Sequence, residues 1–254
     1  MWGMAGTGVR VLTALPCDVQ YGYDVETGDG LLYPGIDATD NALRWGFVRK
    51  VYGIVSIQLL LTTIVAATVM SVPRLHHVLA QSLAANILLM VLSVVLMIPL
   101  FVYKDQHPLN LALLGLWTAV MSTTVGVACS FYQPAIVLEA LALTTTVVLA
   151  LTAYSFWATA RGVDFSPMIP LLGASLWVLI IWGLIQMFWR PGPVASTVFA
   201  LLGALVFAAY LVLDTQLLVT RLGLDDYIWG SVMLYLDILN LFLYILRLLG
   251  ERRD

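Results

Sequence analysis

The stretch that decides the fold is YIWGSVMLYLDILNLFLYILRLL, residues Tyr227–Leu249. It is long enough to cross a bilayer as a helix, yet Asp237 and Asn240 lie near its middle. A carboxylate at that depth costs about 2.5–3.5 kcal/mol on insertion scales, so it needs a partner. The nearest candidate is Asp214, near the end of the preceding apolar run. The sequence therefore predicts two acidic side chains inside consecutive membrane segments.

Composition indicates an all-α integral membrane protein. The 254 residues are 61% hydrophobic and 11% charged, and the mean hydropathy is +0.94; soluble domains contain about 25% charged residues. The apolar residues form unbroken runs, whereas a membrane β-barrel needs alternating polar and apolar residues. The net charge of −3, with scattered basic residues, gives no indication of nucleic-acid binding.

The chain divides into three predicted regions. Residues 1–44 are acidic and lack an apolar period, so we predict a disordered cytosolic tail. Residues 45–250 are predicted to form a membrane domain of seven helices, followed by a short charged tail at 251–254. The apolar segments lie at about 47–71, 80–103, 109–131, 135–160, 168–189, 195–220 and 227–249. Their short connections leave no room for an extramembrane domain, so we expect the function to reside within the membrane.

The distribution of Lys and Arg predicts a cytosolic N-terminus, because this orientation places most basic residues on the cytosolic side. The last segment does not follow this rule, because a seventh full span places Arg247, Arg252 and Arg253 on the side opposite to the cytosol. A re-entrant hairpin would return them to the cytosol. We favour a seventh helix, because no Gly or Pro interrupts the segment between Gly230 and Gly250. The hairpin stays open as an alternative.

Helical spacing predicts that the two aspartates can meet. Asp237 and Asn240 share one face of the last helix, and Asp214 shares a face with Gly203, which is small enough for a neighbouring helix to approach closely. The short loop between the two segments makes them antiparallel neighbours. At about 1.5 Å per residue, the two carboxyl groups differ in depth by only about 5 Å.

Two carboxylates in a low-dielectric interior cannot both ionise cheaply, so we expect the pair to share a proton. Loss of that proton would leave like charges that must separate, admit water or capture a cation, as expected of a pH sensor and gate in a cation path. Lys104 and Arg247 could pair with whichever carboxylate is ionised. The alternative is that the buried Asp and Asn side chains only staple helices together, at about 0.6–2 kcal/mol each.

Other polar residues carry weaker signals. Glu139 lies early in the fourth segment, near an interface, where it either reaches water or lines an ion entrance. His76, His77 and His107 lie in loops without the spacing of a zinc site. We predict no cofactor.

Several runs resemble the transmembrane Bax-inhibitor-motif family, and most closely its lifeguard and Golgi anti-apoptotic branch. The tail piece LYPG is similar to plant-type lifeguard members. The runs are FVRKVYGIVSIQLLLTT (47–63), HPLNLALL (107–114), LEALALTTTVVLALTAYSF (138–156), AAYLVLDTQLL (208–218) and DDYIWGSVMLYLDILNLFLYILRLLG (225–250).

This resemblance implies six helices around a central last helix, residence in Golgi or endoplasmic reticulum membranes, and suppression of programmed cell death through a proton-tuned calcium leak. Asp214 and Asp237 match the family's proposed proton-sensing pair and would contact permeating calcium transiently. Lys104 matches a latching basic position, and Glu139 matches a family glutamate. Asn240 and Arg247 are further candidates for a supporting role. Other cell-death regulators or calcium channels are expected partners.

Two further classes stay open at this point. An intramembrane aspartyl protease also carries two aspartates on its sixth and seventh helices, but Tyr235 and Leu236 stand where a Gly-x-Gly run would admit substrate. We therefore expect no enzymatic activity. A non-conducting regulator that acts through protein partners is the stronger alternative.

Overall fold

The computed structural model describes residues 38–72, 78–79, 82–189 and 192–251. These residues form helices and connections, without a strand in the described ranges. The helices are α1 (Ala38–Ser71), α2 (Leu83–Val102), α3 (Leu109–Cys129), α4 (Pro134–Ala160), α5 (Ile169–Phe188), α6 (Pro193–Thr220) and α7 (Tyr227–Glu251), and a 3-10 turn at Ser166–Met168 precedes α5. All seven are long and apolar enough to cross a membrane. The predicted all-α fold of seven membrane helices is confirmed.

Two details of the sequence-based boundaries change. Helix α1 begins at Ala38, so residues 38–44, which we had assigned to the tail, are helical; residues 1–37 lie outside the described ranges. Helix α7 runs without interruption from Tyr227 to Glu251. A re-entrant hairpin would require a break in this helix, so that alternative was wrong.

The helix ends follow local chemistry. Pro134 and Pro193 occupy the first positions of α4 and α6, where a missing N–H group costs nothing. The hydroxyl of Ser82 accepts a hydrogen bond from Ala85 N at the start of α2. Gly162 follows α4 with φ 75°, a left-handed conformation that turns the chain towards α5.

Helix α7 occupies the centre of the bundle. In its most apolar stretch 56% of the residues are buried, compared with 6% for α2 and 11% for α5. It packs against α1, α3, α4 and α6, whereas α2 packs mainly on α3 and α5 mainly on α6. The carboxylate of Asp237 is therefore carried by the least exposed helix of the protein.

Small residues allow the closest helix contacts. A Cβ atom added at Gly203 of α6 would lie 2.3 Å from a ring carbon of Tyr244 on α7. A Cβ atom at Gly126 of α3 would lie 3.0 Å from the backbone of Ala66 on α1. The aromatic ring of Tyr244 thus packs directly on the α6 backbone, through the small position that the sequence had identified.

Candidate functional site

Asp214 and Asp237 face each other across the α6–α7 interface. Their side chains lie within hydrogen-bonding range of each other. Asp214 is 8% exposed and Asp237 5% exposed. Tyr210, one turn before Asp214, is close enough to interact electrostatically with both carboxyl groups. The structure therefore brings together the two acids that the sequence paired.

Few surrounding groups compensate for the charge of an ionised carboxylate at this pair. In the described part of the chain, no N–H group and no hydroxyl donates a hydrogen bond to Oδ2 of Asp237. The ion pairs described for the basic side chains involve other acids. Because a buried charge without a partner is costly, a proton shared between the two acids is the cheapest way to hold them in contact.

The structure does not bring Lys104 or Arg247 to the pair. Lys104 donates to Asp226 at 2.7 Å, and Arg247 contacts Glu251 at 3.1 Å. Both basic side chains lie at a different depth along the helix bundle from the two carboxyl groups. Arg247 lies ten residues beyond Asp237, about 15 Å along the helix axis, and Lys104 follows the end of α2, beyond the reach of a side chain.

The remaining sequence candidates are Asn240, three residues beyond Asp237 on the same helix, and Glu139. Asn240 is half-buried, and its side-chain amide donates to the Leu236 carbonyl at 2.8 Å, within its own helix. Glu139 is exposed in the second turn of α4, at the end of the bundle opposite to the start of α1. Neither residue completes a coordination sphere around the pair.

Hydrogen bonds that the sequence analysis missed fix the segment of α6 that carries Asp214. Ser155 of α4 donates to the Val212 carbonyl at 2.8 Å, and the Tyr52 hydroxyl of α1 bonds Thr215 at 3.1 Å. Gln216 accepts a hydrogen bond from the backbone N–H of Phe165. Because α6 is held from both sides of Asp214, the carboxyl group is fixed in position relative to α1 and α4.

A second missed feature is a buried polar cluster between α1, α3 and α7. The Thr62 hydroxyl lies 3.0 Å from Ser122 Oγ and 2.8 Å from the Tyr235 hydroxyl. Gln58 donates to Thr118 at 2.9 Å. These polar residues recur four positions apart in α1 and in α3, a spacing that places them on one helix face and that could have revealed the cluster.

A set of contacts holds the α6–α7 connection at the end of the bundle where α1 begins. The Lys104–Asp226 ion pair joins α2 to this connection. Asn110 donates to the Tyr227 hydroxyl at 2.8 Å, and Lys50 Nζ lies 3.1 Å from the centre of the Tyr227 ring. Arg44 also donates to the Leu222 carbonyl. The hydrogen bond from Lys104 to Asp226 raises the pKa of Lys104.

A resident metal centre has no basis among the described residues, where no group of three His, Cys, Asp or Glu side chains could hold an ion. His107 is exposed, and His76 and His77 lie outside the described ranges. Ca²⁺ takes six to eight oxygen ligands, so two carboxyl groups suit a passing ion better than a bound one.

The fold and the site together define a class: a polytopic helical membrane protein whose central helix pairs a buried acid with another on the preceding helix. Comparison with known proteins makes this specific. The family model described as "Inhibitor of apoptosis-promoting Bax1" matches residues 44–254, and the chain belongs to this family, the Bax-inhibitor and lifeguard proteins.

Curated relatives support the assignment over most of the chain. The chain is 48% identical over 228 residues to "BI1-like protein" of Arabidopsis thaliana, covering 90% of this chain and 89% of the relative. It is 42% identical to "Protein LIFEGUARD 3" of the same plant, covering 89% and 94%. It is 38% identical to the "Golgi anti-apoptotic protein" of Vaccinia virus (strain Lister), covering 82% and 86%. The predicted membership of a plant-type lifeguard group is thus confirmed.

Proposed function

We propose that this protein is a proton-sensitive cation leak in which the Asp214–Asp237 pair is both the sensor and the gate. The cation is Ca²⁺, and the leak lowers the calcium content of a Golgi or endoplasmic reticulum store, with the N-terminus in the cytosol. The lower store calcium suppresses programmed cell death. The observation that carries the proposal is the contact between two buried acids without a described basic partner.

The size of the electrostatic effect is adequate for a gate. Two ionised carboxylates 4 Å apart repel each other by about 4 kcal/mol at an effective dielectric constant of about 20. Moving a two-state equilibrium from 1:99 to 99:1 takes about 5.5 kcal/mol. A repulsion of about 4 kcal/mol is somewhat less than this, but it is nearly a thousandfold change in the equilibrium constant, since about 1.4 kcal/mol is tenfold, and it would move a population that is about 1% open to about 90% open.

The direction of the response follows from the charge. With the shared proton, α6 and α7 are held together and the site is closed to water, as its burial indicates. Without the proton, the two negative charges favour separation and attract a divalent cation. We therefore expect the leak to increase as the pH rises through the range in which the pair loses its proton.

The names of the relatives support the biological part of the proposal. A viral relative is named for the Golgi and for an anti-apoptotic effect, and the family model is described as an inhibitor of a death-promoting protein. The residues before Asp237 support a non-enzymatic function, because Tyr235 and Leu236 stand where a protease carries a Gly-x-Gly run, and Tyr235 is fully buried and hydrogen-bonded to Thr62.

Calcium efflux from vesicles that contain the purified full chain tests the proposal. We expect a pH-dependent rate for the wild type and a flat pH profile for Asp214→Asn and for Asp237→Asn. The matched control is Asp225→Asn, which neutralises an exposed acid in the α6–α7 connection and should keep the wild-type profile. Unchanged profiles in both site variants would refute the sensor.

A cell experiment separates the leak from action through protein partners. Wild type and Asp237→Asn, expressed at equal levels, are compared for store calcium and for survival after a death stimulus. The proposal predicts that the variant loses both effects together. Full protection by a variant that no longer changes store calcium would assign the cell-death function to partner binding instead.

A further inference from the structure

A groove between α5, α6 and α7 opens on the side of the bundle, and neither Asp214 nor Asp237 is among its lining residues. Its volume is about 390 Å³, and its lining includes Leu176, Gly183, Phe199, Phe207, Asn240 and Tyr244. Gly183 lies on the α5 wall, where an added Cβ atom would lie 3.7 Å from the Phe199 ring. The volume lies within the range of about 300–1,000 Å³ that is typical of ligand pockets.

A basic side chain lies near one end of this groove. Arg247 lies one turn beyond Tyr244 on α7, with its guanidinium carbon 5.0 Å from the centre of the Phe199 ring. Arg247 donates to Gln186 Oε1 at 2.6 Å and to Ser196 Oγ at 2.5 Å. Glu251 neutralises part of the charge of Arg247.

The groove is thus amphipathic along its length. Its walls are apolar, and α5 buries only 11% of its most apolar stretch inside the protein, so most of this helix faces the surroundings of the bundle. Its end carries an arginine, a side chain that binds phosphate oxygens. Basic pockets between membrane helices are known sites for lipid head groups.

We propose that this groove binds one phospholipid, with an acyl chain along the apolar walls and the phosphate at Arg247. Because Glu251 lies beside Arg247, the site accepts a zwitterionic head group and needs no net negative charge on the lipid. This site is independent of the proposed cation leak. It requires neither ionisation of the aspartates nor ion flux.

Photolabelling tests this proposal. The full chain is placed in phosphatidylcholine vesicles that contain a small fraction of phosphatidylcholine with a diazirine in the middle of one acyl chain. After illumination and digestion, mass spectrometry locates the label. We expect several-fold more label on the groove lining of α5 and α6 than on the exposed face of α2, which includes Leu88 and Val94.

Two substitutions on α5 form a matched pair. A Cβ atom at Gly183 would lie 3.7 Å from Phe199, an ordinary contact, so a Phe side chain at this position can start from the native backbone and occupy the groove. Gly173→Phe adds the same side chain where no atom lies within 4 Å. We expect groove labelling to fall several-fold in Gly183→Phe and to be unchanged in Gly173→Phe, with equal labelling of α2 in both variants as the sign of a normal fold.

A diacylglycerol probe with the same diazirine chain tests the phosphate contact. We expect it to label the groove several-fold less than the phosphatidylcholine probe, and Arg247→Gln to remove that difference. Even labelling of α2 and α5, equal labelling of the two Phe variants, or equal labelling by the two probes in the wild type would each overturn the proposal. Calcium efflux does not enter any of these comparisons, so their failure leaves the proposed leak untouched.

Discussion

Replacing Gly203 by alanine probes the contact that holds α6 against α7. The new methyl group would lie 2.3 Å from Tyr244 Cε1 and 2.5 Å from two further ring atoms, distances that no Cβ tolerates. The ring cannot swing away freely, because it packs against Phe199 and Phe207, with ring centroids 5.5 and 5.8 Å apart. Overpacking of this kind costs about 1–3 kcal/mol.

Alanine also stabilises a helix relative to glycine, by about 0.5–1 kcal/mol. The free energy of unfolding is therefore expected to fall by about 1–2 kcal/mol in Gly203→Ala. For a chain of this size, such a loss lowers Tm by roughly 2–8 °C. Thermal unfolding of the purified protein in detergent measures it. Gly115→Ala is the control: it lies inside α3 with no atom within 4 Å, so it should keep or raise Tm.

A second-site change makes the test specific. Tyr244→Leu removes the ring with which the new methyl group overlaps. Gly203→Ala should therefore lower Tm less in the Tyr244→Leu background than in the wild type. Equal Tm values for Gly203→Ala and Gly115→Ala, or equal costs in the two backgrounds, would mean that the close α6–α7 approach is absent in the folded protein.

Two further predictions concern polar contacts. Tyr235→Phe removes the hydrogen bond between Thr62 and α7 and should lower the free energy of unfolding by about 1–2 kcal/mol. Tyr154→Phe, on an exposed face, is the control and should leave the free energy of unfolding unchanged. Equal unfolding curves for the two variants would contradict the buried cluster. The pKa of Lys104 is higher in the folded protein than its value of about 10.5 in the unfolded chain. At a pH below about 10.5 the ion pair therefore makes its full contribution to stability, and this contribution is lost as the pH rises through the pKa of the folded protein. Asp226→Asn should therefore weaken the fall in Tm between pH 10 and pH 11.5 in scans across that range, and a fall as steep as in the wild type would argue against the ion pair.

The sequence was informative wherever one physical constraint dominated. Unbroken apolar runs have only one solution in lipid, so the seven helices and their connections were predictable. The burial of Asp214 and Asp237 was predictable for the same reason, since acids within such runs need partners. The small residue Gly203 indicated correctly where the neighbouring helix comes closest.

Features set by side-chain reach and by packing between distant segments were not predictable. Lys104 and Arg247 were expected near Asp214 and Asp237. Instead, Lys104 forms an ion pair with Asp226 and Arg247 forms one with Glu251, because each of these acids lies at the same depth as its basic partner. The cluster of Gln58, Thr62 and Tyr235 depends on how α1, α3 and α7 are rotated about their axes, and no single segment specifies that. The start of α1 at Ala38 was missed because its first turns are polar and carry no apolar period.

We propose that one proton, shared between two acids on α6 and α7, decides whether the protein passes calcium. The most direct measurement is the initial rate of calcium efflux at a series of pH values, from vesicles that contain the wild type or the double variant Asp214→Asn, Asp237→Asn in equal amounts. We predict a rate that increases with pH for the wild type and a rate independent of pH for the double variant. The same pH dependence in both proteins would contradict the account.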